Sequence, residues 1–384
     1  MKPTILLITK DAPTPDRRKA GLFPVAIRHH LSLDANVLLY AIEDGLGSKT
    51  AELSGFHGLT YVNAEMRAPG ALIARWPRLA AQHRVRQLIK AARANRVAAV
   101  CGLQSAPQSG LLAQRIANGI KRPFASWEHL TSYGRRDVVL DDRALGHFFR
   151  NSGATAAVSG GTLQAIEQRF GLSLSNGVTI PNPVPDDFEF LEPPQPNRYT
   201  SLCTGHFTFG AWTNWRDIKR LDLLLDAFGR IAPDRPDARL IVAGPMPEAN
   251  QQTIASHTAS ERIVRLGNIS REDIRHLAHA VDCCCLPSDH ETFGLPVVEA
   301  LAAGRPVIST RTVGPTELLS GQPTLGQLVP RNDAAAFATA MISAMDNAHL
   351  VEPEQLRAHA IRTCGSEAQI DRWRSFYRGL GLSV

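Results

Sequence analysis

Two glutamates eight positions apart, Glu291 and Glu299, flank the run Phe293-Gly294-Leu295-Pro296. Leu286-Pro287-Ser288 reads as the end of a strand. Pro296 reads as the first residue of a helix, where a missing N–H costs nothing. Gly304 stops that helix because glycine takes the left-handed conformation found at helix C-termini, and Val307-Ile308 begins the next strand. The amides of Phe293, Gly294 and Leu295 are thereby expected at a helix N-terminus, which favours an anion by roughly 0.3–1 kcal/mol. Gly294 lets a ligand approach the backbone closely, and a pyrophosphate suits such amides. A carboxylate beside a phosphate is unfavourable unless it binds something else, and paired ribose or sugar hydroxyls are what an acidic residue takes in dinucleotide folds. The pair is therefore expected to recognise a nucleotide-sugar. On these residues alone the alternative is a solvated helix glutamate preceded by a capping one.

The elements that must position this segment follow from the hydrophobic pattern. Ile5–Ile8, Val37–Tyr40, Val97–Val100 and Ala154–Val158 are strand-like, with amphipathic stretches such as Val85–Ala94 and Gly161–Phe170 between them. That alternation is the rhythm of a parallel sheet covered by helices. Ile180-Pro-Asn-Pro-Val-Pro and Glu192-Pro-Pro-Gln-Pro interrupt it, since proline at this density continues neither a helix nor a central strand. The rhythm resumes with Leu221–Ile231 as helix and Leu240–Ala243, Ile263–Leu266, Asp282–Leu286 and Val307-Ile308 as strands. The fold class expected is α/β, two doubly wound Rossmann-like domains facing a deep cleft. Residues 1–190 form the first domain and 191–365 the second, with a C-terminal helix over 366–384 packing back on the first. Ligands of such pairs bind at the carboxyl ends of the strands. Neither G-x-G-x-x-G nor a P-loop occurs, which argues against ordinary dinucleotide binding and P-loop chemistry.

Bulk properties exclude other classes. At 384 residues, 44% hydrophobic and 20% charged, the chain is globular rather than disordered. It has no apolar run long enough for a transmembrane helix or a signal peptide. Of six cysteines, Cys283-Cys284-Cys285 are adjacent in an apolar run. Neighbouring strand residues face opposite ways, so the three cannot converge on one metal and read as buried thiols of a reduced, cytosolic protein. The net charge of +6 is uneven: residues 1–195 hold 23 basic and 16 acidic residues, and the remainder 19 and 20. Arg67 to Arg96 carries eight basic residues and no acidic one. A nucleic-acid binder is disfavoured, because interleaved aromatics and a recognisable module are missing and the paired glutamates would go unexplained.

With their neighbours, these residues resemble the Glu-x(7)-Glu signature of retaining glycosyltransferases of family 4, which have the GT-B fold. Ile263-Val-Arg-Leu-Gly-Asn-Ile-Ser-Arg-Glu-Asp-Ile, Ala280-Val-Asp, Pro287-Ser288, Gly304-Arg-Pro-Val-Ile and Gly314-Pro-Thr-Glu317 follow that family's order and spacing. Lys219-Arg-Leu-Asp-Leu resembles the segment carrying its phosphate-binding lysine, and Ile180-Pro-Asn-Pro-Val184 and Glu128-His-Leu-Thr131 resemble landmarks of its first half. The match is dense from about 200 to 330 and thin over the first hundred residues.

The resemblance implies roles. Glu299 would hold the ribose hydroxyls and Glu291 hydroxyls of the donor sugar. Lys219, with the amides of Phe293, Gly294 and Leu295, would neutralise the departing diphosphate. The loop Gly267-Asn268-Ile269 would hold the base largely through backbone groups. His129 would touch the donor sugar near the reacting carbon, with Thr131 a weaker companion. Gly21 matches a family glycine near the phosphates or acceptor, although it stands in Lys-Ala-Gly without the frequent double glycine. The family also places an arginine shortly after the strand that opens the second domain. Here Phe209–Lys219 is a few residues longer, and Arg216, Arg220 or neither supplies that charge.

The implied reaction moves a hexose from a UDP- or GDP-sugar to an acceptor hydroxyl with retention. The leaving phosphate helps to deprotonate the acceptor, and the protein positions the reactants and stabilises charge. No Asp-x-Asp motif is placed to hold a metal; Asp141-Asp142 and Asp186-Asp187 read as adjacent pairs in loops, so neither a metal nor another cofactor is expected. The acceptor is expected to be a glycan or a lipid-linked molecule. The basic first domain, with Trp76 and Leu79, suits an anionic inner-membrane face; the alternative is a basic helix solvated on one side. The competing functions are a GT-B module that binds nucleotide-sugar without transferring it and a GT-B nucleotide-sugar epimerase.

Overall fold

The computed structural model describes residues 2–9, 22–42, 59–61, 77–135 and 137–384. They form two compact units, Met1–Pro181 with Gln369–Val384, and Asn182–Ala368. Among the described residues the first unit has seven strands: β1 (Thr4–Thr9), β2 (Asn36–Ala41), β3 (Leu59–Tyr61), β4 (Val97–Gly102), β5 (Phe124–Glu128), β6 (Ala154–Ala157) and β7 (Gly177–Thr179). They pair in parallel in the order β3-β2-β1-β4-β5-β6-β7. Strand β1 is buried along its whole length, as expected where helices cover both faces of a parallel sheet. Within this unit the C-terminal segment sets Tyr377 Oη 2.9 Å from His30 Nε2 and packs Trp373 edge-on against Trp127 at 5.3 Å.

The second unit has six strands among the described residues: β8 (Phe207–Trp212), β9 (Ala238–Ala243), β10 (Ile263–Gly267), β11 (Cys283–Leu286), β12 (Val307–Thr310) and β13 (Gly326–Val329). All pair in parallel, in the order β10-β9-β8-β11-β12-β13. The chain leaves β8 towards β9 and β10, then returns to β11 on the other side. Such a reversal is the switch point where loops at the carboxyl ends diverge and ligands of open α/β sheets bind.

Alternation along β11 explains the three cysteines. Cys283 and Cys285 join the core with the helices Leu221–Ile231 and Ala334–Asp346, while Cys284 Sγ lies 3.9 Å from the Pro296 carbonyl on the other face. All three are buried free thiols.

The second unit begins at Asn182, inside the first proline run and before the expected start at 191. Asp186–Glu189 is a short helix whose Phe188 is fully buried. Arg357 Nη1 donates to the carbonyls of Phe188 (2.8 Å) and Ala302 (2.9 Å), fastening the short helix to Leu295–Ala302. The aspartate pairs read as loop residues stand at helix starts. Asp141 caps the helix Asp142–Asn151 by accepting from the Ala144 amide at 3.0 Å, and Asp186-Asp187 opens the short helix. A carboxylate there meets free amides and the positive helix end, which loop-like composition does not reveal.

Candidate functional site

The loop leaving β8 is built around Trp215. Its indole is fully buried and donates to the Ala243 carbonyl at 2.9 Å, while its amide donates to Pro245. The loop is thus anchored by an aromatic side chain, and Arg216 emerges next to it, exposed. The Arg216 side chain has no hydrogen-bond or ion-pair partner among the described residues. A 3-10 turn, Asp217–Lys219, follows, and Arg220 takes a left-handed conformation (φ 53°) before the helix Leu221–Ile231. Arg220 reaches Asp222 at 2.8 Å and Asp289 at 3.2 Å and also bonds Asn332, so its charge is matched inside the protein.

Lys219 Nζ is bonded to Glu291 Oε1 on the loop leaving β11, where Ser288 Oγ also donates at 2.9 Å. The Lys219 and Glu291 side chains are 13% and 10% exposed, so water screens the pair weakly. The Asp289 amide donates to the Ile218 carbonyl at 2.8 Å, tying the two loops together.

The helix Leu295–Ala302 begins one residue earlier than Pro296 suggests, with Gly294 as its cap at φ 87°. A side chain at Gly294 would be strained by that angle and would meet Pro315 and Leu286 within 3.3 Å. Gly314 allows a closer approach still: a Cβ there would stand 2.2 Å from the Phe293 backbone. The amides of Phe293, Gly294 and Leu295 donate to no acceptor among the described residues, as expected of a helix start.

One turn on, Glu299 is 4% exposed. Trp212 Nε1, at the end of β8, donates to its Oε2 at 2.7 Å, and Arg271 Nη1 bonds its Oε1. Arg271 Nη2 also reaches Asp187 Oδ1 at 3.4 Å, and its guanidinium lies 5.0 Å from the Phe188 ring centre. Arg271 is the first residue of the helix Arg271–Ala280, where Ser270 and Asp273 form a reciprocal capping box. Sequence reasoning singled out neither Trp212 nor Arg271. The Ser-x-x-Asp box directly after Gly267-Asn268-Ile269 was the available signal, since it fixes where Arg271 leaves the backbone. Gly267 ends β10 at φ 68° and accepts from the Gly244 amide at 2.6 Å; Asn268 is exposed and Ile269 half-buried.

The second unit therefore gathers Lys219, Glu291, Phe293–Leu295 and Glu299 on neighbouring loops at the switch point, with Gly267–Ile269 at the end of β10. His129 belongs to the first unit, directly after β5, edge-on to Trp127 at 4.2 Å. Burial lowers its pKa to about 3, so the ring is neutral near pH 7. Its neighbour Glu128 is buried; its carboxylate takes the Ala106 amide at 3.0 Å and the Tyr133 hydroxyl, and burial raises its pKa. Thr131 opens a 3-10 turn, Thr131–Gly134. Gly21 and Trp76 lie outside the described residues, as does the side chain of Leu79. Farther along the helix Pro77–Ala94, Leu88 and Ala92 are buried, while Arg86, Lys90 and Arg93 are exposed. No helix among the described residues is long and apolar enough to cross a membrane.

Residues 206–347, which carry this whole constellation except Asp187, Phe188 and the first-unit groups, match the family described as glycosyl transferases group 1. That stretch, just over a third of the chain, is similar to the group 1 glycosyl transferases. It is 28% identical over 169 residues to N-acetyl-alpha-D-glucosaminyl L-malate synthase of Bacillus anthracis, covering 43% of each chain. It is 33% identical over 132 residues to D-inositol 3-phosphate glycosyltransferase of Mycobacterium marinum, covering 32% of this chain and 27% of that one. The matched stretches thus span less than half of these relatives. Among solved structures, Anabaena HepE in complex with UDP aligns over 98% of this chain and 100% of its own, at 18% identity and a TM-score of 0.73. Sucrose-phosphate synthase from Thermosynechococcus elongatus aligns over 99% of both chains, at 17% identity and a TM-score of 0.76. At such identities the likeness concerns the fold, which this chain shares with them: two-domain α/β, GT-B.

Proposed function

We propose that this protein transfers a hexose from a UDP- or GDP-sugar to an acceptor hydroxyl, with retention and an α linkage. The observation that carries this reading is the grouping, at one switch point, of the Lys219–Glu291 pair, the open amides of Phe293–Leu295 and the doubly held Glu299. HepE has been captured with UDP and a mannosyltransferase relative is named as GDP-mannose-dependent, so both nucleotides are candidates.

In the proposed reaction the diphosphate lies against the amides of Phe293–Leu295, and Lys219 moves from Glu291 towards it. A flexible ammonium suits that task, because charge grows on the phosphate as the bond to the sugar breaks. Arg216, exposed and unpartnered among the described residues, adds a second cation; this favours transfer over binding alone. The acceptor oxygen attacks the anomeric carbon on the face the phosphate leaves, and the leaving phosphate oxygen takes the acceptor's proton. Glu291 then serves sugar hydroxyls; His129, neutral near pH 7, can donate a hydrogen bond without supplying charge. Lys219 and the helix N-terminus do the electrostatic work that a metal does elsewhere, so transfer is expected to be metal-independent.

The acceptor is proposed to be a glycan or glycolipid in polysaccharide or lipopolysaccharide assembly at the cytoplasmic membrane face. The exposed Arg86, Lys90 and Arg93 would meet anionic headgroups there.

Calorimetric titration of UDP and GDP in EDTA, on the wild type and Glu299→Ala, tests the core of the reading. One nucleotide should bind without metal and bind more weakly to the variant. Failure of both to bind would sink it.

A further inference from the structure

Glu299 is a buried carboxylate with each oxygen already held by one donor, Oε2 by Trp212 Nε1 and Oε1 by Arg271 Nη1. A carboxylate oxygen has two lone pairs, so one acceptor position on each stays open, side by side. That pattern matches a vicinal diol, one hydroxyl to each oxygen. Arg271 is itself immobilised: it reaches Asp187 at 3.4 Å, lies over Phe188 at 5.0 Å and starts a helix fixed by the Ser270–Asp273 capping box. Trp212 is fixed by its place at the end of β8.

The geometry points to Arg271 as a specificity-determining positioning residue, which with Trp212 orients Glu299 to read the 2′,3′-diol of the donor's ribose. This rests on the nucleotide-sugar reading above and deepens it. Without the guanidinium, Glu299 is a desolvated carboxylate lacking its cation and held by Trp212 alone, which fixes only one of its oxygens. The diphosphate contacts at Lys219 and Phe293–Leu295 do not involve Arg271 and are left unchanged.

The test titrates three ligands calorimetrically: whichever of UDP or GDP the wild type binds, its 2′-deoxy counterpart, and inorganic pyrophosphate. Wild type, Arg271→Gln and Arg271→Lys are compared, each checked for folding by thermal unfolding. Wild type should prefer the ribonucleotide over the deoxy form by about tenfold. Arg271→Gln should reduce that preference to about twofold and leave pyrophosphate binding unchanged. Arg271→Lys keeps the charge but loses the fork, and its preference should fall in between; if the glutamine variant does not fold, the lysine variant alone decides. An unchanged ribo-to-deoxy ratio in a folded variant overturns the assignment, as does an equal loss for all three ligands, which would mark a structural role. If the wild type binds neither nucleoside diphosphate, the donor reading fails and this assignment fails with it.

Discussion

Lys219 Nζ is bonded to Glu291 Oε1, and both side chains are largely shielded from solvent. The cation suited to a diphosphate is therefore balanced by a carboxylate before any ligand arrives. A diphosphate must compete with that carboxylate, and a charge-assisted bond of this kind contributes about 1.5–3 kcal/mol. Glu291→Gln should accordingly bind the free nucleoside diphosphate several-fold more tightly, up to about tenfold. It should also turn over the nucleotide-sugar more slowly, because the sugar loses a carboxylate partner. Calorimetry on the diphosphate and a donor-consumption assay separate the two effects. Weaker diphosphate binding by Glu291→Gln would show that the pair organises the site rather than competing for it.

Arg216 and Arg220 are four residues apart and differ in what they already touch. Arg220 is matched by Asp222 and Asp289, and the Arg220 bond holds the Asp222 carboxyl below its usual range. Arg216 is exposed and has no such partner among the described residues. Arg216→Ala should cost about tenfold in pyrophosphate affinity and leave stability within about 0.5 kcal/mol of wild type. Arg220→Ala should do the reverse, lowering stability by about 1 kcal/mol with little effect on pyrophosphate. Paired titrations and denaturant melts check both, and a swap of the two outcomes would move the phosphate role to Arg220.

Much of this was legible because it follows from local periodicity. The strand-like runs at Ile5–Ile8, Leu240–Ala243 and Val307-Ile308 carry their burial in their composition, and the start and end of the helix after β11 are written in Gly294, Pro296 and Gly304. What escaped depends on contacts far apart in sequence. Trp212 reads as one more apolar strand residue, and nothing near it announces a carboxylate 87 positions on. Arg271 reads as a solvated arginine at a helix start until folding brings Asp187, Phe188 and Glu299 to it. The proline run Ile180-Pro-Asn-Pro brackets the boundary at Asn182, but the expected start at 191 left out the short helix Asp186–Glu189, because Phe188 is buried by helices that come much later in the chain.

His129 gives a pH prediction with a definite sign. Burial lowers its folded pKa from the ordinary 6.5 to about 3. Between those values the unfolded chain binds a proton that the folded ring refuses, so His129 costs stability as pH falls from about 6.5 to about 3 and contributes no pH dependence above 6.5. The slope from one such group is at most about 1.4 kcal/mol per pH unit. His129→Asn should flatten the acid limb of the stability curve by up to that slope and leave it unchanged from pH 7 to 9. The wild-type transfer rate should show no titration of His129 between pH 6 and 8, since the ring is already neutral there. Denaturant melts across pH on both proteins measure the first effect, and a pH–rate profile the second. An activity step near pH 6.5 that disappears in His129→Asn would mean that the ring titrates normally and acts as a charged group.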